Sequence, residues 1–138
     1  MRANHLAVVV TVVLQMAIGF VWYAEWAFGS IWMEGIRLDP STMGQPAAHV
    51  FPVAILGSFI IGYGMSWLLG GLRVTGAGPA ARVGAIVGAT LVATTLAVHH
   101  GFSAHSIAVM GVDGLKEVVT FALVALVLGA MPAKANSA

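Results

Sequence analysis

The amino-acid sequence predicts an all-α integral membrane protein, an antiparallel four-helix bundle with both termini in the cytoplasm. Hydrophobic residues make up 59% of the 138 residues and charged residues only 8%, whereas about a quarter of the residues of a soluble domain are charged. Four apolar stretches fill most of the chain, and the loops hold most of the charge. We therefore expect one domain, residues 1–138, with four spans at about 5–24, 50–72, 80–99 and 115–132.

The first apolar stretch, Leu6–Tyr23, has 18 residues, no charged side chain and one strongly polar side chain, that of Gln15. A hydrocarbon core of about 30 Å needs about 20 helical residues, because backbone groups inside it must pair within the segment. The stretch is longer than the apolar core of a signal peptide, which has about 7–15 residues, and no small-x-small cleavage motif follows it. We therefore expect it to be a retained span.

The second and third stretches are joined by the segment Gly-Ala-Gly-Pro at residues 76–79, which is typical of a tight turn. The second stretch, Val50–Leu72, has 23 residues and no charge. The third, Val83–Val98, has 16 residues and needs flanking residues to reach the length of a span. The turn predicts that these two spans form an antiparallel hairpin.

The fourth stretch has its apolar core at Val118–Met131. We expect its helix to begin near Gly114, which places Lys116 and Glu117 in the first turn. No charged residue then lies in the middle of any span. Ion-coupled pumps usually need such a residue, so this pattern counts against active transport.

Orientation follows from lysine and arginine in the short loops, which are enriched on the cytoplasmic side. Arg37 and Lys116 lie on one side of the predicted bundle. The larger group lies on the other side: Arg2, Arg73, Arg82 and Lys134. The excess predicts a multi-pass protein of the inner (cytoplasmic) membrane with both termini in the cytoplasm, as an even number of spans requires.

Small residues recur at every fourth position of the spans, which places them on one face of each helix. The main positions are Ser58, Gly62, Ser66, Gly84, Gly88, Ala89 and Ala93. Small faces let helices approach closely in lipid, so we expect spans two and three to associate through them, while Gln15 bonds to a neighbouring helix. The faces fit contacts within one bundle or between chains, and we expect a homo-oligomer or an accessory subunit of another membrane protein.

Aromatic residues crowd the outer end of the first span: Trp22, Tyr23, Trp26, Phe28 and Trp32. Rings that share one depth form an interfacial belt, because Trp and Tyr favour the headgroup region. Rings that converge inward would instead line a pocket for a lipid or quinone-like ligand, because they supply a large apolar contact. The sequence leaves both interpretations open.

Polar groups lie at the same predicted depth as these rings, namely Glu25 and the three histidines His99, His100 and His105. A carboxylate near membrane depth is a candidate functional group, although its position beyond the apolar run also fits a water-exposed helix end. Antiparallel neighbours would bring Glu25 within reach of His99 or His100. The resulting hypothesis is a ligand-binding patch made of Trp22, Tyr23, Glu25, Trp26, Trp32, His99 and His100.

The sequence contains no recognisable catalytic, cofactor or metal motif. The histidines, with Asp113, are the only metal-capable group, but adjacent helical residues point about 100° apart and the spacing matches no HExxH-type motif. We therefore assign no catalytic residue, cofactor or metal. A net charge of +1 gives no basic face for nucleic acid, and the absence of cysteine excludes disulfides and thiolate chemistry.

The segments Gly-Phe-Val-Trp-Tyr at 19–23 and Phe-Gly-Ser-Ile-Trp-Met at 28–33 resemble the signature of a small bacterial membrane family, domain of unknown function 1761. The pairs Asp113-Gly114 and Gly129-Ala130 are similar to the end of that family's pattern. Family members commonly follow Trp-Tyr with Ser-Pro, where this chain has Ala24-Glu25. The resemblance implies a four-span inner-membrane protein and implies no activity.

Three functions fit these features, in order of preference. The first is a non-enzymatic module of the lipid bilayer that self-associates or serves as an accessory subunit, which the short loops and small faces favour. The second is binding or passive transport of a small amphiphile or lipid at the aromatic, Glu and His patch. The third is a membrane enzyme that depends on its histidines and Glu25. An enzyme is less favoured because no nucleophile–base set is visible.

Overall fold

A computed structural model of the chain describes residues 3–36 and 48–133, and every regular element in these ranges is helical. The α-helices are α1 (His5–Trp22), α2 (Ser30–Gly35), α3 (Val50–Gly71), α4 (Ala77–Val87), α5 (Thr94–Phe102) and α6 (Ile107–Ala130). Two π-helical segments complete the described elements, Glu25–Gly29 before α2 and Gly88–Ala93 between α4 and α5. The predicted all-α class is confirmed for these ranges.

Helices of membrane-spanning length and composition are present. Three segments of the described ranges are long and apolar enough to cross a bilayer: His5–Trp22, Val50–Gly71 and Ala77–Phe102. The helix α6 has 24 residues but carries Asp113, Lys116 and Glu117 in its first half. Length and composition therefore mark the chain as a membrane protein.

The helix α6 begins earlier than the sequence predicted. Its first residue is Ile107, and the Ser106 hydroxyl caps it by accepting a hydrogen bond of 3.4 Å from the Val109 amide. A serine at this position satisfies a backbone donor that the helix leaves free. The expected start near Gly114 is therefore wrong, and Lys116 lies inside the helix rather than in its first turn.

The helix α6 is central to the fold, because it packs on both α1 and α4, while α3 packs mainly on α1. The buried core draws on all four of these helices: Ala7, Val8, Met65, Leu69, Ala80, Phe121, Val124, Ala125 and Leu128. In lipid, such close contact of side chains and small residues is a main source of helix association. The order of helices across the fold is thus α3, α1, α6 and α4.

This order overturns the expected pairing of spans two and three. Gly62 of α3 faces α1, where an added Cβ would lie 3.1 Å from Val8 Cγ1. Gly88 faces α6 instead, where an added Cβ would lie 2.9 Å from the Glu117 carbonyl oxygen, and Gly84 also packs against α6 at Phe121. The two small faces serve two different contacts. Because α1 and α6 lie between them, α3 and α4 are held apart except near their connecting turn.

Adjacent long helices run antiparallel. The Asn4 side-chain amide donates a hydrogen bond of 3.0 Å to the Met131 carbonyl, so the start of α1 lies beside the end of α6. At the opposite end, Trp22 Nε1 donates to the Val112 carbonyl at 3.1 Å. The beginning of α1 and the end of α6 therefore share one side of the fold.

The exposed arginines Arg73 and Arg82 flank the α3–α4 turn. This turn lies at the same end of the fold as Met131, because a Cβ added to Gly129 would be 2.6 Å from the Gly76 carbonyl oxygen. Three other positive residues were used to predict the orientation. They lie outside the described residues: Arg2, Arg37 and Lys134.

The π-helical segment Gly88–Ala93 joins α4 and α5 into one continuous helix. Threonine hydroxyls in and just after this segment donate to backbone carbonyls four residues earlier: Thr90 Oγ1 to Ile86 at 2.7 Å and Thr95 Oγ1, in α5, to Leu91 at 2.6 Å. The predicted row of small residues on this span does not face one neighbour along its whole length. Ala89 is exposed, whereas the Ala93 Cβ would lie 3.4 Å from a Cβ added to Gly114 of α6.

Candidate functional site

Polar side chains converge where α1 ends, α5 ends and α6 begins. At their centre lies Asp113, which is only 8% exposed. Its carboxylate accepts hydrogen bonds from Tyr23 Oη at 2.6 Å, Trp32 Nε1 at 3.3 Å and His100 Nε2 at 2.8 Å. A buried carboxylate is costly unless such donors satisfy it. These four residues are called the Asp113 cluster below.

A bend after α1 brings Trp32 back to Tyr23. Ala24 is extended, with φ −64° and ψ 146°, and the backbone of Ala27 is not helical. Gly29 packs against the bend so closely that an added Cβ would lie 2.5 Å from the Tyr23 carbonyl oxygen, which leaves room only for glycine. As a result the rings of Tyr23 and Trp32 lie 5.2 Å apart between centroids.

The aromatic residues of this region divide into an inward group and one outward ring. Trp22 packs on Phe28 with 4.7 Å between ring centroids and donates to the backbone of α6. Tyr23 and Trp32 meet at Asp113. Trp26, by contrast, is 79% exposed. Neither of the two interpretations of the sequence describes all five rings, because four converge and one does not.

The acidic partner of histidine is Asp113 and not Glu25. The expected pair of Glu25 with His99 or His100 is absent from residues 3–36 and 48–133, where His100 Nε2 instead lies 2.8 Å from Oδ2 of Asp113. The bend after Tyr23 turns Glu25 outward, and its side chain is exposed. His99 is also exposed, because neighbouring helical residues point about 100° apart and His100 takes the inward direction.

A second histidine extends the Asp113 cluster toward the surface. His100 Nδ1 lies 2.9 Å from Nδ1 of His105, which is partly exposed in the turn between α5 and α6. When Asp113 is ionised, His100 donates through Nε2, so a neutral His100 accepts at Nδ1 from the His105 Nδ1–H. The three side chains thus form an unbroken hydrogen-bonded chain from the surface to a buried carboxylate.

Lys116 and Glu117 form an ion pair beside the cluster, with 2.6 Å between Nζ and Oε1. Lys116 Nζ also lies 5.6 Å from the centroid of the Tyr23 ring, within the range of a cation–π interaction. Tyr23 follows the last residue of α1, and its burial, together with the hydrogen bond to Asp113, raises the pKa of its phenol well above the ordinary value. The phenol therefore keeps its proton and remains a donor.

An apolar cleft of about 540 Å³ lies beside the cluster, between α1 and α3. Its lining residues are Met16, Gly19, Phe20, Tyr23, Trp32, Val50, Phe51 and Ala54. The polar atoms of Tyr23 and Trp32 are engaged by Asp113, so these residues present an apolar wall to the cleft. The rings of Phe20 and Phe51 stack with 6.5 Å between their centroids. The cleft is suited to an apolar occupant.

The polar and small residues of the spans lie away from the Asp113 cluster. Gln15 Nε2 donates to the Ser58 carbonyl and to the Thr11 carbonyl, both at 3.1 Å, which links α1 to α3. Ser66 lines a separate cavity of about 330 Å³ near the end of α6. Gln15 therefore holds α1 and α3 together, and neither Gln15 nor Ser66 lines the cleft.

The arrangement has the chemistry of a proton store. In the part of the chain that the structure describes, the only side-chain hydrogen bonds of His100 and His105 join them to each other and to Asp113, and no three-ligand metal group forms. Imidazole and carboxylate side chains in hydrogen-bond contact can hold a proton and pass it between them. The same contacts orient Tyr23 and Trp32 at the end of the cleft.

The central role of Asp113 is a finding of the structure. From the sequence, Asp113 enters only as an added member of the metal-capable group, because the helix is expected to begin after it. The signal that could have found it is an isolated carboxylate within an apolar helix, which is a functional candidate by default.

The model of the family described as protein of unknown function (DUF1761) matches residues 6–129. The chain belongs to this family. The DUF1761 match includes the whole Asp113 cluster, and the structure gives its signature a physical role: Tyr23 and Trp32 meet at Asp113, and Gly29 fits the bend between them. No significant match to the chain was found among curated proteins or among solved structures.

Proposed function

We propose that this DUF1761 protein is a non-enzymatic, four-span protein of the inner membrane that binds a lipid acyl chain in the cleft between α1 and α3. The observation that carries the proposal is the apolar wall of this cleft. Buried tyrosine and tryptophan side chains normally need hydrogen-bond partners. The Asp113 carboxylate accepts from both Tyr23 and Trp32 on the side away from the cleft, so their rings present only apolar surface to it.

The proposed fourth span is α6. Its charged residues have partners: Asp113 accepts three hydrogen bonds, and Lys116 pairs with Glu117. Such pairing lowers the cost of placing ionisable groups at membrane depth. The exposed Arg73 and Arg82 support a cytoplasmic location for the end of the fold where α1 begins and α6 ends, because positive residues accumulate on that side.

The shape of the cleft favours an extended chain over a compact polar solute. Met16, Phe20 and Tyr23 lie along one face of α1 over about two turns, which gives a run of roughly 10 Å along the helix axis. Phe51 and Ala54 of α3 form the opposite wall. A polar solute would lose its hydrogen bonds to water here without gaining others. An acyl chain makes no hydrogen bonds and therefore loses none on entering the cleft.

Gly19 offers a direct test of the cleft. Gly19 lines the cleft and a Cβ added to it meets no heavy atom within 4 Å, so we expect Gly19→Leu to occupy part of the cleft. Gly64 of α3 is equally unobstructed and is exposed, and it is not among the residues that line the cleft. Gly64→Leu is therefore a control of the same size and helix context.

The probe is phosphatidylcholine with dibrominated acyl chains, because bromine quenches tryptophan fluorescence on contact. The exposed Trp26 and Trp67 are first changed to Phe, which leaves Trp22 and Trp32. In detergent micelles, we expect saturable quenching in this background and with Gly64→Leu, and an affinity lower by about tenfold or more with Gly19→Leu. Equal quenching of the two variants would contradict the acyl-chain site.

A second proposed function, self-association or attachment to another membrane protein, has separate support on the continuous helix formed by α4, the π-helical segment and α5. Ala89 is exposed, although Gly84 and Gly88 of the same helix are already packed on α6. A small residue on a lipid-facing surface allows close approach of another helix. We expect Ala89→Leu to reduce the oligomer size measured by light scattering in detergent. An oligomer size equal to that of Gly64→Leu would exclude this face.

A further inference from the structure

We infer that His105, His100 and Asp113 form a proton path that controls the aromatic end of the cleft. The control of lipid binding rests on the proposed function, whereas the proton path itself stands on the geometry of the Asp113 cluster. The proton enters from water at the turn between α5 and α6. Its arrival at the Asp113 cluster changes the position of the Trp32 side chain.

The turn holds the two histidines together. The His105 amide donates to the His100 carbonyl at 3.0 Å, and the two rings lie 5.0 Å apart between centroids. Ala104, between them, has a φ of +57°, a backbone conformation that residues with a Cβ rarely adopt. The contact between the rings is therefore set by the backbone of the turn as well as by the side chains.

The transfer needs no group outside the three side chains. A proton binds His105 at Nε2, and both nitrogens of that ring are then protonated. The His105 Nδ1 proton passes over 2.9 Å to Nδ1 of His100, which leaves His105 neutral with its proton on Nε2. His100 is then an imidazolium cation, hydrogen-bonded to the Asp113 carboxylate. The net change is one proton gained by the cluster.

This proton weakens the contact of Asp113 with Trp32. The same oxygen, Asp113 Oδ2, accepts from His100 at 2.8 Å and from Trp32 at 3.3 Å. A charged imidazolium forms the shorter and stronger hydrogen bond, so Trp32 loses its share of the acceptor. If the proton moves on to Asp113 Oδ2, that oxygen becomes a neutral hydroxyl, which accepts from Trp32 more weakly than a carboxylate oxygen does.

Other titratable groups near the cluster do not replace the histidines. Tyr23 donates to the second oxygen, Asp113 Oδ1, and keeps its proton. On α6, Lys116 is paired with Glu117. The remaining nearby groups are exposed to the surroundings of the protein: Glu25, Glu34 and His99. The ring nitrogens of His105 and His100 that carry no hydrogen can accept a proton, and the two rings are joined to each other and to Asp113.

The proton path is tested with the full chain in detergent micelles, without ligand. Tryptophan is replaced by 5-fluorotryptophan, and the fluorine resonance of Trp32 is assigned by its loss in Trp32→Phe. Between about pH 5 and 8, where histidine ordinarily changes charge, we expect one titration of this resonance. A resonance that does not change with pH would overturn the path.

Three variants separate the path from general effects of pH. His100→Gln keeps a donor for Asp113 but holds no proton, so the titration of Trp32 should disappear. His105→Gln removes the carrier between water and His100, so exchange should slow and the averaged resonance should broaden or split. His5→Gln, the same substitution at the other end of the fold, should leave the titration unchanged. A titration that persists in His100→Gln, or an unchanged line width in His105→Gln, would overturn the path.

The link to the cleft is tested with dibrominated phosphatidylcholine, whose head group keeps its charge over this pH range. Its affinity at the two ends of the Trp32 titration should differ by about fivefold or more, and the difference should vanish in His100→Gln. Equal affinity at both ends with a titrating Trp32 would overturn the control but leave the acyl-chain site. If the lipid does not bind at any pH, the proposed function fails, and the Trp32 resonance alone decides on the proton path.

Discussion

The Tyr23 hydroxyl lies 2.6 Å from Oδ1 of Asp113, which joins the end of α1 to the interior of α6. Trp32 from α2 and His100 from α5 donate to the other oxygen of the same carboxylate. One side chain therefore connects four separate elements. Removal of its charge would leave several buried donors without a full partner, and this makes the carboxylate a sensitive point of the fold.

We expect Asp113→Asn to destabilise the protein by about 2–4 kcal/mol, because an amide offers one acceptor and places its own N–H groups against buried donors. Thermal unfolding in detergent, followed by circular dichroism, measures the loss. Glu25→Gln is the matched control, since it removes the same charge from an exposed side chain and should change stability by less than about 0.5 kcal/mol. Equal stability of the two variants would contradict the role of Asp113.

Two small residues of the helix that packs on α6 predict opposite results, because Gly84 faces α6 and Ala89 is exposed. Gly84→Leu should destabilise the fold by about 2–3 kcal/mol or more, because even a Cβ would collide with the Phe121 backbone. Ala89→Leu should change stability by less than about 0.5 kcal/mol, since Ala89 is exposed. Unfolding midpoints in detergent compare them. Similar losses in both variants would show that Ala89 is also buried.

Asn4 has two roles that can be separated. Its Oδ1 caps α1 by accepting from the Ala7 amide at 3.2 Å, and its Nδ2 donates to Met131. Asn4→Ala should cost about 1–2 kcal/mol through loss of both bonds. Asn4→Ser keeps a capping oxygen and should lose about half as much. If both variants lose the same amount in thermal unfolding, the cap contributes nothing.

The proposed topology can be tested with single cysteines, because the chain has none of its own. Thr75 and Ser103 are exposed at opposite ends of the helix formed by α4 and α5. In spheroplasts, a membrane-impermeant maleimide should label Ser103→Cys and should label Thr75→Cys only after lysis. Labelling of Thr75→Cys in intact spheroplasts would reverse the proposed orientation.

Thr120 is a site where a substitution should stabilise the protein. Its buried Oγ1 has no hydrogen-bond partner among the described residues, and an unsatisfied hydroxyl lowers stability. Thr120→Val should therefore raise stability by up to about 1 kcal/mol in thermal unfolding. Thr11→Val should lack this gain, because the Thr11 hydroxyl donates to the Val8 carbonyl at 2.7 Å. A loss of stability in Thr120→Val would indicate a partner for this hydroxyl.

The helical class and the region of the candidate site were predictable from local properties of the sequence. Long uncharged stretches allow only helices in lipid, and the crowding of Trp22, Tyr23 and Trp32 at one end of a span drew attention to the end of the fold where the Asp113 cluster lies. Signature residues that belong to one family also lie together here. These features depend on neighbours in the chain, which a sequence displays directly.

The partners of these residues were not predictable, because they depend on contacts between distant segments. The direction of Glu25 is set by a bend that Gly29 permits through a close backbone contact. The position of Asp113 depends on a helix start that Ser106 caps well before the apolar core. The small face of α3 meets α1 because α6, the last helix of the described residues, takes the place beside α4. No periodicity in a single helix carries this information.

The π-helical segment Gly88–Ala93 fixes the direction in which His100 points. His100 lies twelve positions after Gly88, and a regular α-helix would turn the two residues about 120° apart around its axis. A π turn accommodates one extra residue, which removes about 100° of rotation and returns His100 to the side of Gly88 and α6. The π turn thus offsets one extra residue in the helix and keeps this histidine on the side of α6. Conversion of the segment to a regular α-helix without a deletion would rotate His100 by about 100° away from Asp113, whereas deletion of one residue would straighten the helix and leave His100 facing Asp113.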